Sequence, residues 1–193
     1  MYKLCKTEQS ASRQRALEAG LLAAMGSHHY EEISVSDLCD QLEVPRKSFY
    51  RYFSGKDGAL QALLDHTLME YETYPLTTVP GEVRTVQKEL ERFFRFWIHH
   101  KSLLDALQRS NLSGLLIERS IVYALTGVFM PRRFLPQDSR EVQDNVTAFA
   151  VCGLMSMVLR WHHSGYPQPP SHMAQLAVRL VGQPLFPNVR ELI

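Results

Sequence analysis

Positive charge is concentrated in residues 44–56, which hold four Lys and Arg residues and no carboxylate. Acidic residues resume on both sides, at Glu43 and Asp57. The same stretch contains four aromatic side chains. Long cationic donors beside aromatic rings are the side chains that bind phosphate groups and base edges. The segment therefore predicts a surface that contacts a nucleic acid.

Two short helices separated by a tight turn are predicted to position this surface. Ser34 suits the N-cap of a helix that runs to residue 42. Pro45 suits the first turn of a second helix over residues 46–52, because its missing N–H is not needed there. A longer helix over residues 10–25, with Ser10 as N-cap and Gly26 as its stop, is predicted to pack across the pair. Another is predicted over residues 56–74. This order is the plan of a helix-turn-helix domain.

Two stretches of the sequence carry a specific resemblance. They are Val35-Ser36-Asp37-Leu38 and Val44-Pro45-Arg46-Lys47-Ser48-Phe49-Tyr50-Arg51-Tyr52-Phe53-Ser54-Gly55-Lys56-Asp57, with Leu60 beyond them. The pattern resembles the N-terminal domain of TetR-type transcriptional regulators and covers about residues 7–70. The resemblance implies a DNA-binding domain over these residues, whose second helix of the pair enters the major groove.

The resemblance also implies roles for eight side chains. Those expected to read bases or nearby phosphates are Arg46, Lys47 and Ser48. Those expected to bind phosphate are Tyr50, Tyr52 and Lys56, with the hydroxyls of Ser34 and Ser36. Phe49 and Phe53 are expected to face the core. Without the resemblance, Tyr50 and Tyr52 are more typical of ordinary surface aromatics, and a solvated face is the alternative for Arg46 and Lys47. Arg51 stays open between a phosphate contact and a surface position.

The sequence departs from the family pattern at two positions. Glu43 stands in the turn where the family usually has Gly, so the turn must form without the conformational freedom of glycine. Ser36 stands where a basic residue is common, so one contact with DNA is expected to be missing. Both departures favour an alternative hypothesis, a co-regulator of the same fold that acts through protein contacts without sequence-specific DNA binding.

Helical periodicity continues through the second half of the chain, and no sustained strand pattern appears. Residues 75–81 hold two prolines and a glycine and are the predicted domain boundary. We predict an all-α fold, with an N-terminal three-helix DNA-binding domain and a larger helical domain over residues 75–193 for dimerisation and ligand binding. Helices are predicted over about residues 83–97, 101–110, 112–130, 141–164 and 171–181, with a loop over 131–138.

The helix predicted over residues 141–164 is apolar almost all round, so it must bury a second face. A partner subunit is the economical explanation, because palindromic DNA is read by two-fold dimers. A fully internal helix of a monomer is the alternative. The residues predicted at the dimer interface are Phe149, Leu154, Met157, Trp161, Met173, Leu176 and Leu180.

A second, looser resemblance links the chain to a C-terminal domain found in many TetR-type regulators of Firmicutes. It rests on residues 94–101, 110–112, 153–154 and 161–165. Such regulators hold a small-molecule effector between the helices that precede the dimer pair. The predicted lining is Phe93, Phe96, Trp97, His100, Leu104, Leu107, Leu116 and Tyr123. Its aromatic content suits an apolar or aromatic molecule. An aromatic stripe at helical spacing is also typical of an ordinary core.

Composition narrows the function further. The 193 residues carry a formal net charge of +1, which argues against an indiscriminate polycationic binder. Three scattered cysteines suit a reducing compartment, no apolar leader is present, and the longest uncharged stretch is too short to span a membrane. No catalytic or phosphate-loop motif was found. We therefore expect a cytoplasmic, non-enzymatic protein without metal, cofactor or membrane partner, which binds double-stranded DNA, a second copy of itself and an unidentified effector.

Overall fold

The computed structural model describes residues 1–75, 85–126 and 139–182, with the side chains of the last two residues excepted. Residues 1–75 form four α-helices and one 3-10 turn. They are α1 (Glu8–Met25), the 3-10 turn (Tyr30–Glu32), α2 (Val35–Gln41), α3 (Arg46–Tyr50) and α4 (Lys56–Thr73). The remaining described residues form α5 (Val86–His99), α6 (Lys101–Arg109), α7 (Ser113–Leu125), α8 (Arg140–His163) and α9 (Pro170–Gly182). The all-α prediction is confirmed.

Local chemistry explains where the helices begin. Ser34 caps α2 as predicted, because its hydroxyl accepts the amide N–H of Asp37 at 3.1 Å. The prediction that Ser10 caps α1 was wrong. Thr7 is the cap, and its hydroxyl accepts the Ser10 amide at 3.3 Å, so α1 begins at Glu8. Gly26 is the C-cap of α1, as predicted.

Two helices end earlier than predicted. Helix α3 ends at Tyr50, because the following residues turn away and pair with the start of the chain: the amide of Lys3 donates to the carbonyl of Tyr52 at 2.9 Å. Helix α7 ends at Leu125, and the hydroxyl of Thr126 donates back to the carbonyl of Tyr123 at 2.6 Å. The predicted loop over residues 131–138 lies outside the described residues, as does most of the predicted domain boundary.

The N-terminal core forms where α1 and α4 pack together over the α2–α3 pair. Its most deeply buried large side chains include Leu21, Met25, Leu38, Phe49 and Phe53. Phe49 and Phe53 are 0% and 2% exposed, so their predicted core positions are confirmed. This core fixes α3 against the domain, which leaves the opposite side of α3 facing solvent.

The C-terminal part is built from two helix pairs, with α5 packed on α9 and α7 packed on α8. The ring of Phe94 on α5 meets the indole of Trp161 on α8 edge to face, with centroids 5.6 Å apart. Leu104 and Leu107 of α6 are fully buried. Helix α6 therefore lies against the core and also packs against α1.

Helix α8 is long and apolar enough, by length and composition alone, to cross a membrane. It is the one such helix among the described residues, and the core helix of a soluble protein passes the same test. A single helix of this kind is weak evidence for a membrane protein, and its apolar surface needs another explanation.

Candidate nucleic-acid interface

The turn between α2 and α3 sets the direction of α3. Glu43 adopts the left-handed conformation, with φ of +53°. The amide of Glu43 donates to the carbonyl of Asp40 at 3.2 Å, and that of Val44 donates to the carbonyl of Cys39 at 2.9 Å. Leu42 enters a notch at Gly20 on α1, where an added Cβ would lie 2.4 Å from its Cδ1. The turn thus keeps the shape that glycine favours although Glu occupies the position.

Helix α3 presents a polar, cationic face to solvent. Arg46, Lys47 and Arg51 are exposed, and Ser48 is half-buried between them. Tyr50 is 54% exposed, and its ring contacts that of the buried Phe49 edge to face at 5.7 Å. A shallow surface depression is lined by Pro45, Lys47, Ser48, Tyr50 and Arg51. The structure thus brings four of the predicted contact residues together, with Arg51 beside them.

The two predicted serines already have partners within the protein. The guanidinium of Arg46 donates a hydrogen bond to the hydroxyl of Ser36, which links α3 to α2. Ser34 donates its hydroxyl proton to the carboxylate of Asp37 at 2.6 Å while capping α2. A contact between the Ser34 hydroxyl and DNA requires its bond to Asp37 to be exchanged, whereas Ser36 only accepts from Arg46 and keeps its own proton to donate.

Lys56 lies at the start of α4 and is held by the 3-10 turn. Its ammonium donates to the carbonyl of Tyr30 at 2.6 Å and stands 4.2 Å from the centre of the same tyrosine ring. The phenol of Tyr30 donates to Asp57 at 2.6 Å. Burial and then this hydrogen bond to a carboxylate raise the pKa of Tyr30 well above its ordinary value. Lys56 is half-buried and keeps donor capacity, since an ammonium has three N–H groups.

Tyr52 differs from the other predicted contact residues because it is only 5% exposed. Its ring packs against Phe53 with centroids 6.2 Å apart. The sequence pattern did not distinguish it from the exposed Tyr50. Its ring belongs to the core, so any contact with phosphate is confined to its hydroxyl end.

The predicted effector site coincides in part with a small cavity between α4, α5, α7 and α8. The cavity has a volume of about 10 Å³. Its lining is Leu68, Tyr71, Phe93, Phe96, Trp97, Ser120, Tyr123, Val151, Leu154 and Met155. Four of the eight predicted residues belong to that lining. The other four do not: Leu104, Leu107 and Leu116 are buried in the core, and His100 packs at the α5–α6 corner.

Polar groups at this cavity are few. Trp97 is 1% exposed, and among the described residues its indole N–H has no hydrogen-bond partner. The phenol of Tyr123 donates to Glu72, and burial followed by that bond raises the pKa of Tyr123 above its ordinary value. Ser120 donates to the carbonyl of Leu116 at 2.7 Å. An apolar molecule would match this lining.

The residues predicted at a dimer interface divide into two groups. Phe149 on α8 is 70% exposed, and Leu176 and Leu180 on α9 are also exposed. Leu154, Trp161 and Met173 are instead buried within the subunit, and the Trp161 indole donates to the carbonyl of Gln168 at 3.0 Å. Met157 is half-buried. The second group packs inside the chain because it lies on the side of each helix that faces the core.

The exposed group continues along α8. Val146 and Val142 are exposed one and two turns before Phe149, so three apolar side chains share one face of the helix. Within the described ranges, no group of three or more His, Cys, Asp or Glu side chains is placed to hold a metal ion.

Comparisons with known proteins agree with this geometry. Residues 19–63 match the family described as bacterial regulatory proteins, tetR family. No curated protein matches the chain. The fold is similar to that of the fatty acid degradation regulator FadR from Bacillus halodurans, at 14% identity and a TM-score of 0.62, over 94% of this chain and 98% of that one.

Two further solved structures share the fold. The dihydroxyacetone kinase operon activator DhaS has 16% identity and a TM-score of 0.57, over 88% of this chain and 93% of that one. A tetR-family transcriptional regulator from Streptomyces coelicolor has 19% identity and a TM-score of 0.52, over 86% and 78%. The likeness therefore extends beyond the N-terminal domain to the arrangement of the C-terminal helices.

Proposed function

We propose that this chain is a cytoplasmic, homodimeric transcriptional repressor that releases a palindromic DNA operator when it binds a small apolar effector. The proposal starts from the match of residues 19–63 to the tetR family of bacterial regulatory proteins. Repression needs only that the dimer occupy its operator. Activation needs a further surface for the transcription machinery, and DhaS, which shares the fold, is described as an activator. A reporter gene placed behind the operator distinguishes the two.

The observation that carries the proposal is the exposed face of α3. Arg46 and Lys47 have the reach and the donors to read guanine edges or adjacent phosphates in the major groove. Tyr50 is exposed beside them, and its hydroxyl can donate to a phosphate of the DNA backbone. Phe49 fixes the opposite side of α3 in the core, so the helix enters the groove as part of a rigid domain.

Dimerisation follows from the geometry of the target. One α3 of five residues reads too few base pairs for specificity, and two-fold dimers place two such helices about one helical turn apart on one face of DNA. The exposed apolar face of α8 and the exposed leucines of α9 supply a surface for a second copy. A partner seated there would bury Phe149, Leu176 and Leu180.

Effector binding is assigned to the cavity between α4, α5, α7 and α8. At about 10 Å³ it holds no more than one water, so a ligand must displace the surrounding side chains. That displacement would move α4, whose first residue, Lys56, is tied to the 3-10 turn that precedes α2. A shift of α4 changes the separation of the two reading helices, and DNA affinity falls because both half-sites no longer fit at once.

The test is selection of random-sequence duplexes by the full-length protein, followed by binding to the recovered site. We expect a palindrome, and we expect Tyr50→Ala to weaken binding to every duplex. Met69→Ala, at an exposed apolar side chain on α4 rather than on α3, is the control and should bind as the wild type does. Failure to recover any shared sequence would overturn DNA recognition and favour the co-regulator hypothesis.

A further inference from the structure

Residues 1–3 pair with the segment that joins α3 to α4. Tyr2 and Phe53 form an antiparallel bridge. The amide of Lys3 donates to the carbonyl of Tyr52 at 2.9 Å, and the amide of Ser54 donates to the carbonyl of Met1 at 3.1 Å. The beginning of the chain is therefore fixed between the end of α3 and the start of α4, the two elements that face DNA under the proposed function.

Tyr2 anchors this segment from the inner side. Its phenol donates to Asp65 on α4 at 2.8 Å, and Arg119 on α7 donates twice to the same carboxylate, at 2.7 and 2.6 Å. Its ring also meets His66 edge to face at 5.5 Å. The anchor thus engages a half-buried ion pair rather than loose surface groups.

Two further residues are shaped around the segment. Gly58 on α4 leaves room for it, since an added Cβ would lie 2.4 Å from the carbonyl oxygen of Met1. Gln14 on α1 is 2% exposed, donates to the carbonyl of Lys3 at 3.3 Å and accepts from the thiol of Cys5 at 2.8 Å. A buried amide and a glycine notch show that the domain is built to hold this backbone in place.

Lys3 occupies the outer side of the segment. Side chains of an extended chain alternate between its two faces, so the inward direction of Tyr2 directs Lys3 outward. The Lys3 side chain is exposed. Its backbone is bonded to Tyr52, only two residues beyond the end of α3 and four before the start of α4. The backbone of this exposed cation therefore lies next to the end of α3, although the two are distant in sequence.

We propose that Lys3 binds a backbone phosphate of the duplex, next to the groove that α3 enters, and that Tyr2, Gln14 and Gly58 position it there. The inference rests on the proposed function. Its ligand is the phosphate group of double-stranded DNA, so the contact strengthens binding to all sequences without adding base preference. The pairing with residues 52–54 fixes the backbone of Lys3 in advance, so less conformational freedom is lost on binding.

The test is the salt dependence of DNA binding by full-length Lys3→Gln, measured by fluorescence anisotropy. The probes are the selected palindrome and a mixed-sequence duplex. The association constant is measured between roughly 50 and 200 mM salt. Removing one phosphate contact lowers the magnitude of the slope of log K against log salt by about 0.9, so the slope for a dimer, which loses two contacts, should fall by about 1.8. Because a dimer makes this weak contact twice, its removal should weaken binding about tenfold on both duplexes. Lys101→Gln, at an exposed lysine on α6, is the charge-matched control and should retain the wild-type slope.

Gly58→Ala tests the positioning without removing charge. Its methyl group displaces residues 1–3, so it should reproduce the reduced slope, and adding Lys3→Gln should cause no further loss. Circular dichroism melting checks that the variant is folded. A full additional loss in the double variant would overturn the positioning role. A Lys3→Gln slope equal to that of wild type would overturn the phosphate contact while leaving the proposed function intact. Absence of DNA binding by wild type would overturn both.

Discussion

The amide N–H of Tyr30 donates a hydrogen bond of 3.0 Å to the hydroxyl of Ser110, across the junction between the 3-10 turn and the end of α6. The same tyrosine accepts from Lys56 through its carbonyl and donates its phenol to Asp57. Arg109, next to Ser110, donates to the carbonyl of Gly26 at the end of α1. The C-terminal end of α6 is therefore bonded at two places to the segment that joins α1 to α2.

Ser110→Ala removes the acceptor and leaves the half-buried amide of Tyr30 without its partner. We expect the free energy of unfolding to fall by about 1–2 kcal/mol, the usual cost of an unsatisfied polar group of this kind. Urea titration measures it. Ser164→Ala is the control, because that exposed hydroxyl at the end of α8 bonds to the carbonyl of Arg160 one turn earlier, and its effect should stay within about 0.5 kcal/mol. Equal losses in the two variants would contradict the assigned role of Ser110.

Glu43→Gly should stabilise the protein. Glu43 adopts a φ of +53°, a conformation that costs a residue with a Cβ about 1–2 kcal/mol. Glycine relieves that strain, although it gains more freedom in the unfolded chain, so we expect a net gain of about 0.5–1 kcal/mol by urea titration. Glu118→Gly on α7, at an exposed helical position, should instead destabilise by about 1 kcal/mol. Destabilisation by both variants would show that Glu43 contributes a contact that outweighs the strain.

The turn at Glu43 shows which features of the fold could be predicted from the sequence alone. The departure from glycine was visible in the sequence, and so was the need for the turn to form without it. The pattern also predicted the short helices, because caps and helix breakers act over three or four residues. The boundary of α3 was wrong by two residues, since its end depends on pairing with residues 1–3, a contact that no local pattern encodes.

Side-chain placement was less predictable than helix placement. Tyr50 and Tyr52 are equivalent in the motif, yet one is exposed and the other belongs to the core. Trp161 and Phe149 lie on the same predicted helix, and only tertiary packing decides which of them faces solvent. Because α8 is hydrophobic almost all round, its sequence has no periodic pattern that would distinguish the side facing the core from the side facing solvent.

The corner formed by α5 and α6 predicts a pH dependence of stability. Burial, together with the nearby His99, lowers the pKa of His100 below 6.5, while Glu70 opposes the shift. The unfolded chain therefore binds this proton more readily than the folded one, so stability is lost as pH falls below about 6.5. Urea titrations at about pH 7.5 and 5.5 should show a smaller decrease for His100→Gln than for wild type. In the control His28→Gln, at an exposed histidine, the free energy of unfolding should decrease between the two pH values by as much as in wild type.

Phe149 should decide whether the protein is a dimer. Its side chain is 70% exposed on α8, and burying it in a symmetric interface contributes about 2 kcal/mol from each copy. Phe149→Asp also places two carboxylates in that interface, so the dimer dissociation constant should rise by at least about a thousandfold. Sedimentation equilibrium measures this change. Val122→Asp, at an exposed position on α7, should leave the dimer intact. A Phe149→Asp protein that stays dimeric would place the interface on another face, because an unpaired charge cannot remain buried at the centre of this one.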